Sequence, residues 1–194
     1  MKRPLLFALL AALALFAAAC EDDGELRLRN RTASDVWASV DDSEPRDVPG
    51  WANWSRFYAS ERTATVTYSG NYVFANSVTR EVRPNLVSTV DISPDGGAVE
   101  ITNDGTKALT EVYISVSGDP NWGSDDLAGT IPPGEIGLWT VTQGDWDIKV
   151  VDIDGETHYK YAQSVVTNAT LGLLLSNFGK YREKLAYHGD IYGK

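Results

Sequence analysis

From Glu25 onward, apolar and polar residues alternate in short runs. In Leu26-Arg27-Leu28-Arg29 the leucines fall on one face and the arginines on the other. Val99-Glu100-Ile101-Thr102 repeats the pattern, and Asp145-Trp146-Asp147-Ile148-Lys149-Val150 alternates charge with bulk. A period of two marks a half-buried strand in an antiparallel sheet. Thr, Val, Tyr and Trp dominate these runs, as they do in strands. Turn signals separate them: Ser69-Gly70-Asn71, Asp95-Gly96-Gly97, Pro132-Pro133-Gly134, Gln143-Gly144-Asp145 and Asp154-Gly155. Many short strands at close spacing predict an all-β sandwich rather than a helical or mixed fold.

The runs also repeat. Leu26-x-Leu28-x-Asn30-x-Thr32, followed by Val36-Trp37-x-Ser39, is echoed by Val99-x-Ile101-x-Asn103-x-x-Thr106, followed by Val112-Tyr113-x-Ser115. Gly70-Asn71-Tyr72-Val73 matches Gly144-Asp145-Trp146-Asp147, and Asn85 with Val90 matches Asn168 with Leu173. The expectation is two tandem, related antiparallel β-sandwich units of the immunoglobulin-like kind, 25–94 and 97–176, joined at Pro94-Asp95-Gly96. A basic, aromatic tail, 177–194, follows; it either docks on the acidic body or frays. Trp37, Trp139 and Trp146 fall in strands and read as core. Trp51, Trp54 and Trp122 fall in loops.

The first twenty residues differ from all of this. Lys2 and Arg3 precede an uncharged run of Leu, Ala and Phe from Leu5 to Ala19, too short for a spanning helix, which needs about 20 apolar residues. A basic start, an apolar run and small residues at its end make a secretory signal peptide, 1–19. The run closes on Ala17-Ala18-Ala19-Cys20, and Cys20 is the single cysteine of the chain. This ending resembles the lipobox of bacterial lipoproteins, with Ala17 where Leu is usual. The resemblance covers residues 1–20. It implies cleavage before Cys20, a diacylglyceryl group on its thiol and acylation of the new amino terminus. Two or more chains anchor stably where one does not. Residues 20–24 then form an acidic, lipidated tether, Cys20-Glu21-Asp22-Asp23-Gly24. Glu21 in place of the usual inner-membrane Asp points to the outer membrane.

The second unit carries another likeness. Ile101-x-Asn103, Glu111-Val112-Tyr113-Ile114-Ser115, Asn121-Trp122-Gly123-Ser124-Asp125-Asp126-Leu127, Pro133-Gly134-Glu135 and Trp146-Asp147-Ile148-Lys149-Val150-Val151-Asp152-x-Asp154-Gly155 together resemble a small β-sandwich domain of bacterial secreted proteins and lipoproteins. That group has no established activity, so the resemblance implies a fold and no reaction. The first unit lacks an evident partner for the Asp-x-Asp-Gly turn.

Charge and composition narrow the function. With 17 basic and 27 acidic residues the net charge is −10, which excludes a sequence-independent grip on nucleic acid. Two histidines and one cysteine exclude an intrachain disulfide and leave too few soft ligands for zinc or iron–sulfur. His158 lies in Thr157-His158-Tyr159-Lys160-Tyr161, sharing a face with Lys160 and opposite the two tyrosines. There is no Gly-x-Ser-x-Gly, His-Glu-x-x-His or P-loop. A non-enzyme without a cofactor is expected. Two further chemistries stay open. Asp119, Asp125, Asp126, Asp152 and Asp154 offer loop oxygens of the kind calcium takes, although Asp154-Gly155 serves equally as a hairpin turn. Trp51, Trp54 and Trp122 are placed to stack on a sugar, or to plug the ends of a sandwich. The function expected is a membrane-anchored, non-catalytic structural or interaction module of the envelope, meeting an envelope protein or a glycan. The alternative is a glycan-binding or calcium-stabilised adhesion module.

Overall fold

A computed structural model describes residues 23–180; the leader, Cys20 and most of the tail, 181–194, lie outside the described residues. The chain is all-β. In order it runs through β1 (Gly24–Asn30), β2 (Val36–Val40), β3 (Arg46–Val48), β4 (Asn53–Tyr58), β5 (Arg62–Gly70), β6 (Val73–Val82) and β7 (Val87–Ile92). It continues with β8 (Gly97–Thr102), β9 (Leu109–Val116), β10 (Ile136–Val141), β11 (Gly144–Asp152), β12 (Thr157–Val165), β13 (Thr170–Leu174), a 3-10 turn (Leu175–Asn177) and β14 (Gly179–Lys180).

The first seven strands make two sheets, ordered β4-β1-β7 and β3-β2-β5-β6. The last seven make two more, β10-β8-β13 and β14-β12-β11-β9. Each pair of sheets encloses its own core. Leu26 and Leu28 from β1 meet Val36, Val40, Val66 and Ile92 in the first. Val99 and Ile101 from β8 meet Leu109, Val112, Ile148 and Val150 in the second. The alternation in the sequence is the cause: in β1 every second residue is buried, and each buried Leu or Ile contributes about 1.5–3 kcal/mol.

Most neighbours are antiparallel, with one exception in each half. β1 lies parallel to β7 and β8 parallel to β13. Period-two burial reports which face is covered and carries no information on the direction of the neighbouring strand. Chain crossing from one sheet to the other brings β7 and β13 in alongside the first strand of their own half.

Five further expectations are corrected. Gly70-Asn71-Tyr72-Val73 and Gly144-Asp145-Trp146-Asp147 are not equivalent. The first joins β5 to β6, whereas the second opens β11. The structural counterpart of the β5–β6 turn is Asp154-Gly155, between β11 and β12, so the Asp-x-Asp-Gly turn does have a partner. Trp54 is in β4, not a loop, and Trp37 is in a strand but 47% exposed, not core. Finally, Phe178, assigned to the tail, is buried in the second core, and β14 pairs with β12 through Tyr159–Gly179 and His158–Lys180.

Strand β12 contains one irregularity that matters for the site. Trp146 pairs with Gln163 and Ile148 with Lys160, so β12 carries an extra residue there. Ala162 takes φ +49 in this bulge, and its N–H donates to the buried Asp147 carboxylate at 2.8 Å. The bulge explains why Asp147 and Ile148 are both buried although their neighbours alternate.

The two halves touch. Thr140 Oγ1 donates to the carbonyls of Gly70 (3.1 Å) and Asn71 (3.2 Å). Tyr72 and Thr170 share a hydroxyl hydrogen bond of 2.9 Å, and the Ala33 N–H donates to Asn168 Oδ1 at 2.7 Å.

Candidate functional site

The acidic residues singled out above separate into two groups. Asp152 ends β11 and is 5% exposed. Its Oδ1 accepts the N–H groups of Asp154 (3.0 Å) and Glu156 (2.9 Å), which folds the turn back on itself. The Lys107 ammonium sits against this turn, 3.3 Å from Asp152, 2.8 Å from Asp154 and 3.8 Å from Glu156. Glu156 is also paired with Lys180 from β14. Burial works to raise the Asp152 carboxyl. The Glu156 N–H, Lys107 and the Asp154 N–H outweigh it and leave Asp152 below the usual carboxylate range. Lys107 is raised in turn by Asp154 and Asp152.

Beside Lys107 lies a hollow of about 180 Å³ lined by Asp152, Glu156, His158 and Leu175. Ligand atoms of Asp152, Glu156 and His158 lie within 4.8 Å of one another. The oxygens of Asp152-x-Asp154-Gly155-Glu156 are legible together in the sequence; His158 is not grouped with them there. The usable signal was register: a tight turn after Asp152 brings the start of β12 back alongside the end of β11.

Asp119, Asp125 and Asp126 lie in the long connection between β9 and β10 and do not join that cluster. Asp125 Oδ1 accepts the N–H of Val112 (2.9 Å) and of Leu127 (3.0 Å). Asp126 Oδ2 accepts the N–H of Ile114 at 3.0 Å, and the Asp126 N–H donates to the Val112 carbonyl at 2.8 Å. The pair therefore closes the open edge of β9, which would otherwise present unpaired backbone groups. Asp119 accepts the Asn121 N–H at 2.9 Å and holds its own turn.

The three tryptophans expected in loops also part company. Trp122 leans on Tyr159 and Tyr161, with ring centroids at 5.8 and 6.2 Å. The two tyrosines stack at 5.8 Å with planes 3° apart. Lys149 Nζ lies 3.6 Å from the Tyr113 ring centre and 5.5 Å from that of Trp122, and burial lowers its ammonium. Tyr113 donates to Glu111 at 2.6 Å. That bond, then burial, pushes the phenol up to about 12. Trp122 is thus one member of a self-packed aromatic cluster on the outer face of β9, β11 and β12. Trp54 packs against the first core beneath the Arg46 guanidinium, 4.5 Å away. Trp51 stands at φ +62 and is 62% exposed.

Among the described residues no helix is long and apolar enough to cross a membrane. No family model matches the chain, and no curated protein matches it. Solved structures do. The Bacillus anthracis TIE protein aligns at 13% identity and TM-score 0.30, over 79% of this chain but only 33% of its own length. A DUF3823 family protein from Bacteroides ovatus aligns at 13% identity and TM-score 0.26, over 72% of this chain and 96% of its own. A candidate cell adhesion protein from the same species aligns at 11% identity and TM-score 0.36, over 84% and 96%.

Proposed function

We propose that this chain is a lipid-anchored, non-catalytic structural or interaction module of a bacterial envelope, tethered through Cys20 and presenting two clasped β-sandwich units to the surroundings. The observation that carries the non-catalytic part is what the carboxylates do. Asp125, Asp126 and Asp147 accept backbone N–H groups that close a strand edge or a bulge, and Asp152 holds a turn and a lysine. Groups so engaged define shape and are poorly placed to exchange protons with a substrate. The clasp between the halves supports a rigid display. The lipobox supports the anchor, and Glu21 supports the outer membrane.

The test is detergent-phase partitioning of the full chain in its native host. The wild-type protein is cleaved and enters the detergent phase; Cys20→Ser either keeps its uncleaved apolar leader and partitions through it, or is cleaved at another bond and moves to the aqueous phase. A Cys20→Ser protein that is cleaved as before and still partitions with detergent defeats the anchored reading.

A further inference from the structure

Three surface depressions of the described chain belong neither to the acidic turn nor to the Trp122 cluster. One, of about 600 Å³, lies on the outer face of β2, β5 and β6 and is lined by Trp37, Ser39, Thr67, Ser69, Asn76 and Ser77 among others. A second, of about 460 Å³, shares Trp37 and Ser69 with it and continues past Asn71 and Phe74 to Leu138 and Thr140 of the second unit. A third, of about 250 Å³, shares Phe74 and Thr140 with the second and ends at Trp139 and Trp146. The three hollows run into one another, so a single trough crosses the junction of the two units.

Its chemistry is unusual for this protein. Charged residues make up 23% of the chain, yet none lines the first two hollows, and the third has only Asp126. The walls are aromatic rings separated by hydroxyls and amides. Trp37 is 47% exposed, and Phe74 and Leu138 are each 38% exposed. The Trp139 and Trp146 indole N–H groups donate to the Asp126 and Thr142 carbonyls (3.0 and 2.9 Å), which fixes both rings in place. Fixed rings give contact area at little entropic cost, and Ser, Thr and Asn supply adaptable hydrogen bonds. A neutral, polyhydroxylated chain presents the matching surface: apolar ring faces and a rim of hydroxyls. A charged polymer would find no counter-charge, and a purely apolar one would leave the hydroxyls and amides unpaired.

We infer that the trough is a binding site for an uncharged polysaccharide chain, held across both units at once. The inference deepens the interaction-module reading above and rests on it for display at the cell surface. The occupant is an exogenous neutral polysaccharide. The bacterium's own wall glycan carries carboxylates, which the trough offers no cation to meet. The clasp of Thr140 on Gly70 and Asn71 lies in the trough's floor region and keeps its two ends in register.

Affinity electrophoresis of the full lipidated protein in detergent tests this, with gels containing hydroxyethylcellulose, mannan or laminarin as neutral probes and polygalacturonate or chitosan as charged ones. Binding to isolated wall sacculi is measured in parallel. At least one neutral polymer slows the protein. Trp37→Ala in the first unit and Leu138→Ser in the second each weaken that retardation, Trp37→Ala by about tenfold or more. Leu86→Ser, at an exposed apolar side chain outside the trough, leaves it unchanged, and chemical denaturation confirms that the variants fold. Retardation by none of the neutral polymers, binding indifferent to Trp37, or Trp37-dependent binding only to charged polymers or to sacculi overturns the proposal. The assay is done in detergent, so its outcome is independent of whether Cys20 anchors the chain, and the partitioning experiment alone decides that.

Discussion

Asn30 and Asn103 make the same three hydrogen bonds in the two units. Each side-chain amide donates to the carbonyl four residues on, Ser34 for one and Lys107 for the other, both at 2.8 Å. Each also donates to a distant loop carbonyl, Val48 at 2.9 Å and Ile131 at 2.8 Å. Each side-chain oxygen accepts the N–H two residues on, from Thr32 at 2.8 Å and Gly105 at 3.2 Å. Both residues are completely buried at the end of the first strand of their unit.

An asparagine there ties its own turn to a distant loop, so removing Asn103 takes away the partners of the Lys107 carbonyl and the Gly105 N–H and leaves the Ile131 carbonyl with the Leu109 N–H alone. Asn103→Ala is expected to destabilise the protein by about 2–4 kcal/mol, measured as a lowered urea midpoint. Asn103→Asp should cost at least as much, because a carboxylate cannot donate to either carbonyl. A midpoint within about 0.5 kcal/mol of wild type would show that water replaces the amide.

Gly24 and Gly97 form a second matched pair, each opening the first strand of its unit. A Cβ at Gly24 would stand 2.5 Å from the Arg83 carbonyl oxygen, and one at Gly97 still nearer that of Val166. In both places the obstruction is backbone entering the last strand, next to Asn85 and Asn168, which share φ +63. Gly97→Ala is therefore expected to cost about 1–3 kcal/mol through overpacking. Thermal melts of Gly97→Ala beside Gly172→Ala, which has open space around it, provide the comparison.

Acid should weaken the fold. Arg29 lowers the Asp91 carboxyl through a two-pronged contact of 2.7 and 2.5 Å, Arg27 lowers Glu25, and the Asp152 turn lowers its own carboxyl against burial. A carboxyl whose folded pKa is depressed contributes stability above its unfolded pKa. That stability is lost as pH falls through the folded value. The urea midpoint should therefore hold from about pH 7 to 5 and drop below about pH 4. Tyr113 acts at the other end. Held up at about 12 by Glu111, it keeps its proton past its unfolded value, so its contribution fades only as pH rises through that range. An ultraviolet titration in which Tyr113→Phe removes a late-ionising phenol checks this limb.

The strands were legible because burial on one face imposes a period of two, and Leu26, Leu28, Val99 and Ile101 sit where that period puts them. The matched Asn30 and Asn103 were visible too, since a buried amide at a strand end is a fixed requirement. Direction was not: β1 beside β7 and β8 beside β13 depend on where the chain crosses between sheets. The site was read least well. A strand position was taken to mean core for Trp37, yet a strand has two faces, and Trp37 is on the outer one. A loop position leaves Trp122 either to stack on a ligand or to plug an end of the sandwich, and Tyr159 and Tyr161, spaced two apart, meet it instead. Lys107 left no signal, because a lone lysine four residues after Asn103 becomes an ion-pair partner only once the turn after Asp152 folds back.

That lysine bears on the calcium question. Calcium needs six to eight oxygens around one point, and at the Asp152 turn the place facing the carboxylates is taken by an ammonium 2.8–3.8 Å from three of them. Asp119, Asp125 and Asp126 are engaged elsewhere and bring no further oxygens. Adding millimolar calcium, or removing it with a chelator, should leave the melting temperature of the wild-type protein unchanged, since a ligand stabilises only by binding the folded state. Lys107→Met should melt lower, because it leaves the nearly buried Asp152 carboxylate without its cation. Calcium should then recover part of that loss in Lys107→Met and nothing in Lys107→Met/Asp152→Asn. A calcium-dependent rise in the wild type itself would mean that the ion displaces Lys107, and the turn would have to be read as a metal site.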